Sequence, residues 1–168
     1  PDKAEGTVRS GLWDLSSNSA GLSLVFRSNA SEIRVRYQTT SKNYNMWHMA
    51  NMGVSGVDMF AVDDKGNEYW TAPDFTPQFQ DSIKFRYSGL TYQRDSDGSY
   101  EYHLYLPLYN GIKWMEIGVP EGSELYFRKR SDAQPIVIYG TSIAQGAWAS
   151  RAGQSWVNML GRRIGHPV

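Results

Sequence analysis

The chain has 168 residues, and its 17 basic side chains balance 17 acidic ones. This neutral balance argues against a nucleic-acid-binding protein, because binding to phosphates needs an excess of Lys and Arg. The sequence has no cysteine, which excludes disulfides, cysteine-ligated zinc and a thiol nucleophile. It also has no run of about 18 apolar residues, so we expect no membrane span.

Most of the chain has the pattern of short β-strands. In residues 32–38, Ile33, Val35 and Tyr37 alternate with polar residues, and this period of two indicates a half-buried strand. Seven other segments, separated by turn signals, also predict strands. The eight predicted strands are 21–28, 32–38, 56–62, 67–71, 82–87, 100–106, 112–118 and 124–129. Their spacing of roughly ten residues predicts a mainly β fold, an antiparallel β-sandwich or jelly roll.

The pattern changes near residue 134. Residues 135–139 (PIVIY) form an unbroken apolar run, which is typical of a strand buried on both faces of a parallel sheet. After a loop rich in small residues, 154–164 has apolar residues at helical spacing. We therefore predict a β-sandwich domain at 1–133 and the beginning of an α/β domain at 134–168. No second parallel strand follows to complete that domain.

Ser142 stands out by its position between the predicted strand and the predicted helix. Open α/β sheets place reacting groups beyond the carboxyl ends of their strands. Gly140 permits a sharp turn there, after which backbone N–H groups are able to face a developing oxyanion. The alternative is an ordinary strand–turn–helix in which Ser142 only caps the helix.

Two motifs resemble those of one enzyme family. Residues 140–146 (GTSIAQG) resemble the first motif block of the SGNH, or GDSL, hydrolases, although the common form has Asp where this chain has Thr141. Residues 56–60 (GVDMF) resemble the GxDLY motif of a β-rich domain that precedes the hydrolase domain in secreted bacterial members. The resemblance implies that 134–168 is the first strand and helix of a flavodoxin-like SGNH hydrolase domain.

The resemblance also implies roles for particular residues. Ser142 would be the nucleophile, and its backbone N–H would be one oxyanion donor. The catalytic His and the other donors belong to later blocks that this sequence does not contain. We assign none of His48, His103 and His166 as the base, and we expect His103 to be a surface residue. A serine without an adjacent base is a weak nucleophile, so we expect this chain alone to be inactive and to be the N-terminal part of a longer esterase.

By resemblance, the complete enzyme would act on small acyl esters such as acetylated carbohydrate or polysaccharide, with no cofactor and no metal. Its partners would be this substrate and the remainder of the hydrolase domain. Residues 1–6 carry no signal peptide, and a secreted or periplasmic location is expected from resemblance only. The alternative function is a non-catalytic β-sandwich module that binds carbohydrate or serves as a scaffold.

Three aromatic side chains are candidates for substrate binding. Trp148 follows Ser142 closely, and its ring is suited to stacking on a sugar; alternatively it covers the end of the helix. Trp47 and His48 lie in the loop 43–52, which either walls an active-site cleft or fills the sandwich core. Asp58 of the GxDLY-like motif is interpreted as a structural hydrogen-bond acceptor rather than a catalytic residue.

Overall fold

The computed structural model of the protein describes residues 4–90, 99–129 and 131–168. A turn predicted at 95–98 lies outside these ranges. All eight predicted strands are formed: β1 (Ser23–Ser28), β2 (Ile33–Thr39), β3 (Asp58–Val62), β4 (Glu68–Thr71), β5 (Ile83–Tyr87), β6 (Tyr100–Tyr105), β7 (Ile112–Gly118) and β8 (Leu125–Phe127). The helices are α1 (Ser10–Ser16), α2 (Asn51–Val54), α3 (Ser142–Gln145) and α4 (Trp156–Ile164), with a 3-10 turn at Ala152–Gln154.

The strands form two antiparallel sheets, which confirms the predicted mainly β fold. One sheet has five strands in the order β4-β3-β6-β1-β8, and the other has three in the order β5-β2-β7. The turn at 63–66 joins β3 to β4 as a hairpin in which Met59 pairs with Thr71. Strand β6 lies at the centre of the larger sheet, between β1 and β3.

One core fills the space between the two sheets. The predicted alternation along β2 is confirmed, since Ile33, Val35 and Tyr37 are buried while Arg34 and Arg36 are exposed. The larger sheet contributes buried residues to the same cluster, among them Phe26 and Leu104. The two sheets therefore form a sandwich, and burial of its apolar side chains contributes roughly 1.5–3 kcal/mol for each large residue.

A second apolar cluster lies on the other face of the larger sheet. Phe60 of β3 points away from the sandwich core and packs with Tyr105, Leu108, Val54 and Ala152. Ala152 belongs to the segment that precedes α4, so this cluster attaches the C-terminal segment to the β-sandwich. The domain boundary predicted at 133/134 stays a prediction, and residues on its two sides share this cluster.

The predicted helix at 154–164 is formed from Trp156 to Ile164. Ser155 caps its first turn by accepting a hydrogen bond from the Asn158 N–H at 3.4 Å, and Gly165 ends it with a φ of 59°. Only glycine adopts this left-handed conformation without strain. Arg162 of α4 lies over the Phe60 ring, 4.2 Å from its centroid, and connects the helix to the outer cluster.

The strand predicted at 135–139 is not formed in this structure. Val137 is 85% exposed and Tyr139 fully exposed, and every described strand belongs to one of the two antiparallel sheets. The physical reason is that a parallel strand needs a neighbour for its ladder hydrogen bonds, and none of the described residues supplies one. The segment is instead held beside the end of α4, where the Ile136 N–H donates to the Pro167 carbonyl at 2.9 Å.

Candidate functional site

Ser142 is exposed at the start of α3. Thr141 before it has extended backbone angles, and the short helix ends at Gly146, whose φ is 110°. A Cβ on Gly146 would lie 2.9 Å from both Leu108 Cδ1 and Ser155 Cβ. Glycine is therefore required here both by the backbone angle and by close packing. We call residues 141–146 the serine turn; at Gly146 it packs directly against the β-sandwich.

The β-sandwich holds the serine turn through hydrogen bonds. The Tyr109 hydroxyl donates to the Ser142 carbonyl at 2.8 Å, and the Gln145 side-chain amide donates to the Leu108 carbonyl at 3.0 Å. The Ala147 N–H also donates to the Ser142 carbonyl, at 2.8 Å. These contacts fix the carbonyl side of Ser142 and place its hydroxyl at the protein surface.

The hydroxyl and the N–H of Ser142 make no hydrogen bond to any described residue. This leaves one hydroxyl and one backbone donor open on the same residue. None of the three histidines contacts the hydroxyl: His48 packs against Trp148, His103 lies between two carboxylates, and His166 faces the Gln134 carbonyl. Within the described part of the chain, the structure thus brings no histidine to the Ser142 hydroxyl.

The three predicted substrate-binding side chains lie together. The His48 ring centroid is 4.7 Å from that of Trp148 and 4.6 Å from that of Trp47, and the two tryptophan rings meet edge to face at 5.9 Å. A short antiparallel bridge between Met46 and Met49 forms the base of the loop that carries Trp47 and His48. We call Trp47, His48 and Trp148 the aromatic cluster.

Much of the aromatic cluster faces solvent. Trp47 is 90% exposed and Trp148 is 63% exposed, although buried rings would be more stable. Trp148 also has a φ of 69°, a left-handed conformation that is rare for a large side chain. Exposed aromatic rings on a strained backbone are common at binding sites. Of the two alternatives for the loop 43–52, filling of the sandwich core does not fit Trp47.

Asp58 of the GxDLY-like motif connects the sandwich to the segment after the serine. Its buried carboxylate accepts hydrogen bonds from the Trp70 indole at 2.8 Å, the Gly153 N–H at 3.1 Å and Arg151 Nε at 3.2 Å. Burial raises the pKa of Asp58 above its ordinary value, while Arg151 and the two N–H donors oppose that shift. These contacts agree with the interpretation of Asp58 as a structural acceptor.

His103 differs from its expected place on the surface. Its side chain is 23% exposed, and it lies between Glu68 at 3.0 Å and Glu101 at 3.2 Å. Burial by itself would lower the pKa of His103, but the hydrogen bonds to Glu101 and Glu68 outweigh it and raise the pKa to about 9. His103 is therefore a charged residue of the sandwich and takes no part in the serine site.

A polar groove beside the serine was missed in the sequence. Its lining residues are Ser41, Lys42, Asn43, Tyr44, Asn45, Met46, Asn51 and Tyr109. Three of them are asparagines within nine positions, and this local density was the signal available in the sequence. Tyr109 carried no such signal, because it comes from a distant part of the chain. We call this surface the asparagine groove.

The described residues show no grouping of three or more His, Asp or Glu side chains suited to hold a metal ion. Within the same part of the chain, no helix has the length and apolar character needed to cross a membrane.

Comparisons with known proteins agree with the two motifs. Residues 1–125 match the GxDLY family, described as the N-terminus of SGNH-hydrolase-type esterases. Residues 133–168 match the GDSL-like lipase/acylhydrolase family. No curated protein matches the chain.

Solved structures are also similar to the chain. A protein from Bacteroides ovatus described as a GDSL-like lipase matches 99% of this chain with a TM-score of 0.86 and 28% identity. The salicylyl-acyltransferase SsfX3 from a tetracycline biosynthetic pathway matches 89% with a TM-score of 0.57 and 19% identity, a likeness of fold alone. The chain spans 47% of the length of the first protein and 39% of the second.

Proposed function

Since the chain belongs to the GxDLY family of N-terminal domains of SGNH-hydrolase-type esterases, we propose that it is part of a serine ester hydrolase with Ser142 as the nucleophile. The GDSL-like match over residues 133–168 includes Ser142 and supports this assignment. The remaining catalytic groups would come from the rest of the hydrolase domain.

The observation that carries the proposal is the hydrogen bonding of Ser142. Its carbonyl is held by Tyr109, while its hydroxyl and N–H face solvent without a partner among the described residues. A structural capping serine would use its hydroxyl to accept from a nearby backbone N–H, as Ser155 does at the start of α4. The N-cap position of α3 is Thr141, and the Ser142 side chain caps nothing, which leaves its hydroxyl free for chemistry.

In the proposed reaction, Ser142 Oγ attacks the carbonyl carbon of an ester while a histidine base takes the hydroxyl proton. The Ser142 N–H donates to the oxygen that becomes negatively charged in the tetrahedral intermediate. The intermediate expels the alcohol, which receives the proton from the base, and leaves an acyl group on Ser142. Water then attacks the acyl-enzyme with help from the same base and releases the acid.

The proposed substrates are small acyl esters, with acetylated carbohydrate as the favoured class. The aromatic cluster supports this class because exposed indole rings stack well on the apolar faces of sugars. A secreted or periplasmic location is part of the proposal, since acetylated polysaccharides lie outside the cytoplasm. This location rests on family resemblance.

The test compares the full-length protein with its Ser142→Ala variant on p-nitrophenyl acetate. We expect kcat to fall by at least about 10³-fold, because no other group supplies the covalent step. Ser150→Ala is the matched control, since Ser150 is an exposed serine of the same segment. Unchanged turnover by the Ser142→Ala variant would remove Ser142 from the mechanism.

A second measurement identifies the nucleophile directly. A fluorophosphonate should add its phosphonyl mass to the tryptic peptide that contains Ser142 in the full-length protein, and Ser142→Ala should abolish this label. Labelling of a different serine would contradict the assignment.

The exposed aromatic cluster favours one alternative, a carbohydrate-binding module without catalysis. This alternative predicts oligosaccharide binding by a full-length protein that neither hydrolyses esters nor takes the fluorophosphonate label. A pure scaffold would not bind oligosaccharide, hydrolyse esters or take the fluorophosphonate label. The two measurements above, together with a binding assay, therefore distinguish the three functions.

A further inference from the structure

We propose that the asparagine groove is a carbohydrate subsite that the β-sandwich supplies to the serine centre, where it binds the sugar that carries the acyl group. This inference rests on the proposed function for its position in the reaction, because the sugar would be the alcohol part of the ester. Binding of the sugar itself depends only on the groove.

The lining of the groove suits a ligand with many hydroxyl groups. Asn43, Asn45 and Asn51 all line it, and none of their side-chain amides hydrogen-bonds to a described residue. Each amide offers two donors and one acceptor, which matches sugar hydroxyls that both donate and accept. The groove volume of about 460 Å³ lies within the range of roughly 300–1,000 Å³ found for small-molecule sites.

The charge of the groove favours a neutral ligand. Lys42 is the one ionised side chain of the lining, and its ammonium group lies 2.7 Å from Asp81. Because this pair cancels the positive charge, the lining offers no unpaired cation to a phosphate or carboxylate. A neutral sugar fits such a surface better than an acidic peptide or a nucleic acid.

The groove is preformed rather than assembled around its ligand. The buried Asn110 holds Ser41 from both sides: its Oδ1 accepts from the Ser41 N–H and its Nδ2 donates to the Ser41 carbonyl, both at 3.0 Å. Tyr44 packs against Phe79, with 6.1 Å between ring centroids. A rigid frame lowers the entropy lost on binding, so weak individual hydrogen bonds can give useful affinity.

Tyr109 connects the groove to the reaction centre. It lines the groove, and its hydroxyl donates to the Ser142 carbonyl at 2.8 Å. Met46, at the base of the loop that carries Trp47 and His48, also lines the groove. A sugar in the groove would therefore contact Tyr109, which holds Ser142, and Met46, which adjoins Trp47, and the groove would orient the sugar's ester towards Ser142.

The first experiment measures binding without catalysis. Full-length protein carrying Ser142→Ala is titrated with deacetylated xylo-, cello-, manno- and chito-tetraose, and binding is followed by the NMR signals of the asparagine side-chain amides. We expect at least one oligosaccharide to shift the signals of Asn43, Asn45 and Asn51. No shift with any of the four would overturn the inference, whether or not the protein is an esterase.

The second experiment uses the double variant Asn43→Ala/Asn51→Ala in the full-length protein. We expect at least a tenfold weaker Kd for the bound oligosaccharide and an equal rise in KM for its acetylated form, with a smaller effect on KM for p-nitrophenyl acetate, whose alcohol part has no sugar hydroxyls. Asn18→Ala is the control, as Asn18 is not among the residues that line the groove. The inference would be overturned by an unchanged Kd for the oligosaccharide. It would also be overturned by an equal rise in KM for the acetylated oligosaccharide and for p-nitrophenyl acetate.

The two proposals fail in different ways. If the oligosaccharide binds in the groove but Ser142→Ala leaves hydrolysis unchanged, the carbohydrate subsite stands and the nucleophile assignment falls. If Ser142→Ala abolishes hydrolysis and no oligosaccharide binds, the nucleophile assignment stands and the carbohydrate subsite falls. Asn45→Ala, at an exposed position, provides a milder variant should the double variant fail to fold.

Discussion

The backbone N–H of Gly153 donates a hydrogen bond to the Asp58 carboxylate, with 3.1 Å between N and Oδ2. These residues are 95 positions apart and belong to the two family matches, at 1–125 and 133–168. Arg151 reinforces the contact, since its guanidinium binds the same carboxylate and lies 4.0 Å from the centroid of the Trp70 ring. The aspartate of the GxDLY-like motif thus holds the segment that follows the serine turn.

We predict that Gly153→Ala destabilises the protein by about 1–3 kcal/mol, the usual cost of forcing an extra carbon into a packed site. The new Cβ would clash with Phe60 Cε2 and lie 2.7 Å from Asp58 Oδ2. Urea denaturation measures the change. Gly118→Ala is the matched control, because a Cβ there meets nothing within 4 Å. Equal stability of the two variants would contradict the close packing at Gly153.

The buried tyrosines Tyr37 and Tyr87 should respond in opposite ways to loss of the hydroxyl. The Tyr37 hydroxyl donates to the Ser55 carbonyl at 2.7 Å, whereas the buried Tyr87 hydroxyl has no partner among the described residues. Removing one member of a buried hydrogen bond costs about 1–3 kcal/mol, but removing an unpaired polar group relieves a penalty. Both tyrosines lie in the sandwich core, so each is the control for the other.

We therefore expect Tyr37→Phe to lower the free energy of unfolding by about 1–3 kcal/mol and Tyr87→Phe to leave it unchanged or raise it. Thermal and urea unfolding of the two variants give the measurement. A loss at Tyr87 as large as that at Tyr37 would mean that the Tyr87 hydroxyl has a partner after all.

The eight strands could be predicted because their signal is local. Alternation along a segment such as 32–38 follows from one face being buried, whichever strand lies beside it. The run at 135–139 is different, because its strand depends on a parallel neighbour that the described chain does not contain. The short helices α1, α2 and α3 carry too few residues for a helical period to stand out.

The candidate site could be predicted only in part, for the same reason. Ser142 lies within a motif, and Trp148, Trp47 and His48 were candidates as separate residues. These side chains contact one another because the loop at 46–49 packs against the segment after α3. A local sequence pattern does not predict such a contact between distant segments. Tyr109 was missed because its contact with Ser142 joins residues 33 positions apart.

His103 joins several charges on the larger sheet. It lies between Glu68 and Glu101, while Arg162 lies 3.8 Å from Glu68 and Arg128 lies 3.7 Å from Glu101. The hydrogen bond from His103 lowers the pKa of Glu101, with burial opposing it, and the carboxylates raise the pKa of His103 to about 9. The charged forms of the histidine and of Glu101 therefore stabilise each other in the folded protein.

This pairing predicts a stability that falls with rising pH. The folded-state pKa of His103 lies above its unfolded value near 6.5, so the contribution is complete below about pH 6.5 and is lost as the pH rises through about 9. We expect His103→Gln to be less stable than the native protein at pH 6 and to remove most of the decline between pH 6.5 and 9. Urea denaturation across this range measures it, with His166→Gln as the control. An equally steep decline in His103→Gln would assign the pH dependence to other groups.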